Sequence, residues 1–217
     1  MPPAPVPGSP GPEPRESLVR GPAPAVQGGE IAAMEPTDEE LVLRFQAGDE
    51  SAFETMVARW NEPVLQLATR LTGDLEEAKD VRQMALLRIY QSLRGFEGRA
   101  RVSTWVWRVV LNLCRDKKRN AAVRSRTLEA SVREREGDYV LEETGFHVAR
   151  DRELAGIVAK AVLELPAPER EVVVLRHYHD LAFPAIAEIL GSPVTTVKSR
   201  MTRGLTLLRT RLATLET

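Results

Sequence analysis

Residues 182–203, AFPAIAEILGSPVTTVKSRMTR, decide how this chain reads. Ile186, Ala187 and Leu190 give a first helix an apolar side. Gly191 follows at once, where a tight turn needs a residue that tolerates positive φ. Pro193 cannot continue a helix but suits the start of the next one. Thr195 or Thr196 then supplies a cap for a second helix, whose first core residue is Val197. Small Ala187, Gly191 at the turn and β-branched Val197 have the spacing at which two helices cross closely. Together they predict a helix-turn-helix.

The second helix of that unit carries the functional signal. At 100° per residue, Val197, Met201, Leu205, Leu208 and Leu212 line one stripe. Thr195, Thr196, Ser199, Thr202 and Arg203 occupy the other side, with Lys198 and Arg200 at its edges. Five cations and no acid fall between Lys198 and Arg211, a bias that matches a polyanion. Short hydroxyls beside Arg and Lys are what base edges and phosphates ask of a major-groove helix. Lys198 and Arg200 suit phosphate, and Arg203 suits phosphate and base together. The competing reading is a basic amphipathic helix that docks on an acidic protein or a membrane. It leaves the preceding turn without a purpose.

Composition sets the bounds. The 217 residues allow one or two domains, and 43% hydrophobic residues suffice for packed cores. Net charge is only −1, so the distribution of charge matters more than its total. Residues 38–62 hold seven acids against two cations, and residues 115–126 hold six cations against one acid. The single cysteine, Cys114, forbids an internal disulfide. No Cys or His pair has zinc-site spacing, and His177 and His179 fall on different faces of a helix, so no metal or cofactor is expected. No apolar run suits a membrane span or an export signal. A soluble, cytoplasmic protein without membrane insertion is the expectation.

Residues 1–35 form a Pro/Gly-rich tail, with nine prolines and five glycines in the first 33 residues. It cannot offset its ordering entropy by burial and is expected to be disordered. Met34 opens the first foldable sequence and is a candidate start.

From residue 36 to 120 the pattern is helical throughout. Thr37 and Glu40 make a capping box ahead of Leu41, Val42 and Phe45. Gly48-Asp49 ends that helix, and a second begins at Ser51 and runs to Trp60. Leu65, Ala68 and Leu71 mark a third segment, closed by Thr72-Gly73-Asp74. Residues 76–93 are expected to be the longest helix, with Ala78, Ala85, Ile89 and Leu93 buried. Asp80, Gln83, Met84 and Leu87 lie opposite, where exposed Met and Leu between polar residues point to a partner or to a covering helix of the same domain.

The segment GFEGRARVSTWVWRVVLNLCRDKKRN, residues 95–120, follows. Glycines flank Phe96 and Glu97 and mark a loop that also holds Arg99 and Arg101. Ser103 or Thr104 caps a helix with Val106, Val109, Val110 and Leu113 inward. Trp105, Trp107, Arg108, Asn112, Arg115, Lys117 and Lys118 are left for the remaining surface. Aromatics beside cations suit single-stranded nucleic acid, although tryptophans at this spacing also serve as core.

The chain resembles the extracytoplasmic-function (ECF) group of bacterial RNA polymerase sigma factors. The resemblance is carried by GDESAF, the LTGDLEEAKDVRQ run, STWVWRVVLNLCRD and LPAPEREVVVLRHYHDLAFPAIAEILGSPVTTVKSR, in this order. It implies an all-α fold of two small helical domains joined by a flexible linker, the C-terminal one a helix-turn-helix. Residues 36–120 would be sigma region 2, 121–150 the linker and 151–217 sigma region 4. The resemblance assigns Asp80, Gln83, Met84 and Leu87 to the β′ coiled coil of core polymerase. It gives Phe96, Arg99, Arg101, Trp105, Arg108, Asn112, Arg115 and Lys118 to opening and capture of the −10 element. Thr195, Thr196, Lys198, Ser199, Arg200 and Arg203 would read the −35 duplex, and the linker would thread the RNA-exit region.

The implied partners are core polymerase (β′ and β subunits), promoter DNA and an anti-sigma factor. Family members commonly carry Glu where Met84 stands, and a Tyr-Glu-Glu-like run where Phe183-Pro184-Ala185 stands. The first departure bears on polymerase docking; the second makes the start of that helix more apolar. No phosphate loop and no nucleophile–base pair is apparent, so binding without covalent chemistry is expected. Two rivals are a helix-turn-helix regulator that acts without replacing the sigma subunit, and an interaction protein built on the same fold.

Overall fold

The computed structural model describes the backbone of residues 35–127 and 149–215. The expected disordered tail, up to residue 34, and most of the expected linker lie outside the described residues. Eight helices and no strands occur among the described residues: α1 Asp38–Gln46, α2 Glu50–Thr72, α3 Leu75–Leu93, α4 Val102–Thr127, α5 Ala149–Leu163, α6 Ala167–His177, α7 Phe183–Leu190 and α8 Val194–Leu215. The protein is all-α, as expected.

Local chemistry sets the ends of the first helices. Thr37 Oγ1 accepts the Glu40 N–H at 3.2 Å while Glu40 accepts the Thr37 N–H at 2.8 Å, so the capping box is formed in both directions. Asp49 caps α2 and Asp74 caps α3. Gly73 closes α2 at φ 82°, a left-handed conformation that favours glycine.

α2 corrects the sequence reading. The two segments expected on either side of Asn61-Glu62-Pro63 are one helix of 23 residues. Pro63 withholds one N–H from the ladder, but the buried series Ala52, Met56, Trp60, Val64, Leu67, Ala68 and Leu71 runs unbroken through it. Packing of that stripe overrides the local penalty. α4, at 26 residues, exceeds the 19 of α3, so the expectation that α3 is the longest helix does not hold.

The α3 stripe is as expected, with Ala78, Ala85, Ile89 and Leu93 buried and Val81 added to it. It packs chiefly on α2, and α1 closes one end through Leu41, Val42 and Phe45. Phe45, Phe53 and Tyr90 stack there with ring centroids 4.9–5.7 Å apart. In the C-terminal half, Val172–Leu175 of α6 are buried along with Ile186, Ala187 and Ile189 of α7 and Val197 and Met201 of α8. Gly204 lets α6 and α8 approach: a Cβ there would stand 2.9 Å from Val173 Cγ2. The described residues from Pro36 onward cluster as one compact unit, with α2 and α4 packed against helices of the C-terminal half.

Candidate nucleic-acid interface

The helix-turn-helix forms as read, with one shift. Gly191 adopts φ 59°, its N–H reaches the Glu188 carbonyl and the Ser192 N–H reaches that of Ala187 at 3.0 Å. α8 starts at Val194, and its first bond runs from the Val197 N–H to the Pro193 carbonyl at 3.1 Å. Thr195 and Thr196 are therefore inside the first turn rather than capping it. Ile189, not Leu190, joins Ile186 and Ala187 in full burial. On α8, Val197 and Met201 are buried, whereas Leu205 is 44% exposed at the edge of the expected stripe.

The outer face of α8 presents Thr195, Lys198 and Ser199 to solvent, with Thr196 and Arg200 half-buried beside them. Ser199 and Thr202 each donate to the carbonyl four residues back, at 2.9 and 3.2 Å. Lys198 Nζ lies 6.0 Å from the centroid of Phe183, within cation–π range. Arg203 points to the α6 side, where Nη1 donates to the buried Glu169 carboxylate at 3.0 Å.

The loop after α3 is pinned rather than loose. Gln46 Nε2 donates to the carbonyls of Leu93 and Phe96, at 3.0 and 2.9 Å. Phe96 is half-buried with its ring 5.2 Å from that of Trp105. Arg99 and Arg101 are exposed, and Arg99 pairs with Glu97 at 2.5 Å.

α4 begins at Val102, before the expected Ser103 or Thr104 cap. The Val102 N–H donates to Glu39 Oε1 at 3.2 Å, so a carboxylate from α1 satisfies the helix start. Val106, Val110 and Leu113 are buried as expected, and Val109 is half-buried. Trp107 is not a surface residue. It is 5% exposed, stacked edge-on with Trp60 at 5.0 Å and against His179 at 4.5 Å.

Arg108, Asn112, Arg115 and Lys118 are exposed along α4, yet both arginines have intramolecular partners. Arg108 Nη2 donates to the Glu188 carbonyl at 2.7 Å. Arg115 makes a two-pronged contact with Glu171, Nε to Oε1 at 2.7 Å and Nη2 to Oε2 at 2.6 Å. Lost hydration and the neighbouring Arg170 hold the Lys118 amine below its ordinary value.

Met84 and Leu87 are 39% and 56% exposed, and Gln83 and Asp80 share that face. Among the described residues this face stays largely exposed, with α4 reaching its edge through Lys117. Asp80 accepts from Lys117 Nζ at 2.9 Å.

Sequence reasoning passed over Gln46, Glu169 and Glu171, and weighed His179 only as a metal ligand. Glu171 could have been found: it precedes Val172–Leu175 on the buried side of α6, and an acid there demands a cation. His179 lies against Trp107, with Nε2 buried and unpartnered among the described residues. Burial, then the nearby Arg70, push its imidazole down to about 4, with Asp180 opposing. Burial pushes the Cys114 thiol up to about 12, which leaves it inert at neutral pH. Among the described residues no His, Cys, Asp and Glu cluster could hold a metal ion, and no helix is long and apolar enough to cross a membrane.

A helical N-terminal half packed on a C-terminal half that ends in an exposed helix-turn-helix suits a sigma-70-type factor, and two family models match accordingly: Sigma-70 region 2 over residues 56–124 and Sigma-70, region 4 over residues 155–208. The ECF RNA polymerase sigma factor SigW of Bacillus subtilis is 32% identical over 188 residues, which cover 82% of this chain and 98% of that protein. CnrH, solved in complex with the cytosolic domain of CnrY, is similar with a TM-score of 0.62 and 25% identity, over 82% of this chain and 97% of that one. The fold is shared with the sigma factor RpoE from Bartonella quintana, solved with the anti-sigma factor NepR, at a TM-score of 0.60 and 20% identity over 74% of this chain and 96% of that one. The chain belongs to the ECF RNA polymerase sigma factors.

Proposed function

We propose that this sigma factor directs initiation by lending core polymerase two DNA-reading surfaces of the kinds its family uses. The observation that carries the reading is the outer face of α8, where exposed Thr195, Lys198 and Ser199 stand on a glycine-turned helix-turn-helix. On this reading α8 enters the −35 major groove. Thr195, Thr196 and Ser199 reach toward bases, Lys198 and Arg200 hold phosphates, and Arg203 does both from beside Glu169.

The second surface is the Phe96 loop with the outer side of α4. Arg99, Arg101, Arg108, Arg115 and Lys118 would track the −10 strand, while Phe96, Trp105 and Asn112 take the unstacked bases. Trapped bases stack at about 1–3 kcal/mol each, which offsets part of the unpairing cost. Asp80, Gln83, Met84 and Leu87 would dock on the β′ coiled coil of core polymerase, whose β′ and β subunits are the proposed partners. The exposure of these four residues supports the assignment. Domain bounds of 36–120 for the first reader, 121–150 for the linker and 151–217 for the second belong to the same proposal. So do an anti-sigma partner and a cytoplasmic location.

A regulator that binds operators without joining polymerase would leave the exposed Met84 and Leu87 without a role. Reconstitution with core polymerase decides between them: promoter-specific transcripts that need the added protein are expected. DNA binding by the chain alone, with no association to core polymerase, would overturn the reading.

A further inference from the structure

One cation of α8 is held from beneath. Arg203 Nη1 donates to Glu169 Oε1 at 3.0 Å, and the two side chains differ sharply in their access to water: Arg203 is 66% exposed and Glu169 only 6%. Glu169 is the third residue of α6, in the first turn, where the helix macrodipole favours an acid. α8 presses close to it, since a Cβ on Gly204 would stand 3.5 Å from the Glu169 Cβ. Among the described residues, Arg203 is the one hydrogen-bond partner of this carboxylate, and Glu169 the one partner of Arg203.

We propose that Glu169 is a positioning residue for duplex reading: it fixes the Arg203 guanidinium so that the free Nε–Nη2 edge meets a guanine in the −35 major groove. The inference rests on the assignment of α8 given above and adds how one base is read. A guanidinium has two edges, each able to grip two acceptors. With Nη1 on Glu169, Nε and Nη2 remain side by side. Guanine O6 and N7 are two acceptors side by side in the major groove. Arg203 lies one turn beyond Ser199 and two beyond Thr196, so the three share one strip of α8.

Of the two roles given to Arg203, Glu169 favours the base. Its negative charge cancels the attraction of Arg203 for a phosphate and repels a phosphate that comes near, whereas the edge of a guanine is neutral. Departure of Arg203 would strip Glu169 of its partner while α6 still keeps it from water, so the pair persists on DNA. The side chain is thereby ordered before the duplex arrives, and binding need not meet that cost. Lys198 and Arg200 have no carboxylate partner among the described residues and keep their full charge for phosphate.

The test uses holoenzyme assembled from the full chain and core polymerase, with promoter duplexes randomised across the −35 element. The parent should prefer guanine at one position by about tenfold. Glu169→Gln keeps the size of the side chain but lets Arg203 swing to phosphate. It should cut that preference to about twofold and steepen the fall of log affinity with log salt by about one. Arg203→Lys keeps a cation for Glu169 but has no second edge, so it should lose the same preference and no other. Glu169→Gln added to Arg203→Lys should then change the preference no further. A guanine preference that survives Arg203→Lys would overturn the edge reading by itself, whether or not Glu169→Gln folds. A preference lost in Arg203→Lys but kept in Glu169→Gln, or a Glu169→Gln variant that binds every sequence equally less well, would overturn the positioning and leave the α8 assignment standing. Preference and salt slope unchanged in both variants would overturn the orientation of α8 as well.

Discussion

His179 shows how a single side chain can carry a condition into the fold. Its ring is packed on Trp107 with Arg70 and Asp180 as the charges nearby, and its folded value of about 4 lies below the ordinary value of 6.5. Between those values the unfolded chain binds a proton that the folded chain refuses. Stability from this site is therefore complete above pH 6.5 and is lost as pH falls toward 4. The slope is at most about 1.4 kcal/mol per pH unit. Urea unfolding at neutral and mildly acidic pH should show this loss, and His179→Gln should flatten it. An unchanged slope would remove His179 from the account. Neither the burial of Trp107 nor the pairing of Arg115 could be read beforehand. A tryptophan serves equally as core or as a stacking surface, and Glu171 lies 56 positions from Arg115.

At the scale of the helix, legibility followed locality. The Thr37–Glu40 box, the Gly191 turn and the α3 stripe were readable because all their chemistry falls within a few residues. The start of α4 was not, because its cap comes from Glu39 on another helix. The break expected near Pro63 failed because the buried stripe of α2 outweighs one missing hydrogen bond. Two helical glycines make the same point by experiment. Gly156 in α5 has nothing within 4 Å of a would-be Cβ, so Gly156→Ala should stabilise by about 0.5–1 kcal/mol. Gly204→Ala gains the same backbone term but drives a methyl into Val173, whose β-branch cannot swing away. Overpacking of that kind costs about 1–3 kcal/mol, so the net effect should be a loss. Thermal unfolding of the two variants should move in opposite directions.

Across the whole molecule, the sequence resolved which surfaces exist but not how they face one another. The α8 face and the Met84–Leu87 face emerge exposed, whereas the α4 face meets the C-terminal half. Polymerase docking is testable through Asp80, which is exposed and pairs at the surface with Lys117. Asp80→Arg should weaken capture by core polymerase without change in helix content, since exposed pairs contribute less than about 1 kcal/mol to folding. Equal capture of variant and parent would remove this face from the interface.

Gln46 sits on α1 yet ties down the carbonyls of Leu93 and Phe96 with one amide group. The loop thus borrows its shape from a helix far upstream, since Gln46 and Phe96 are 50 positions apart in the chain. Gln46→Ala should leave two carbonyls to solvent and let Phe96 wander from Trp105. Strand separation on an intact duplex promoter should then slow, while a template with a pre-formed bubble should be transcribed almost as well as before. On the function proposed above, α1 would act as a tuning peg for promoter melting, set by a single amide.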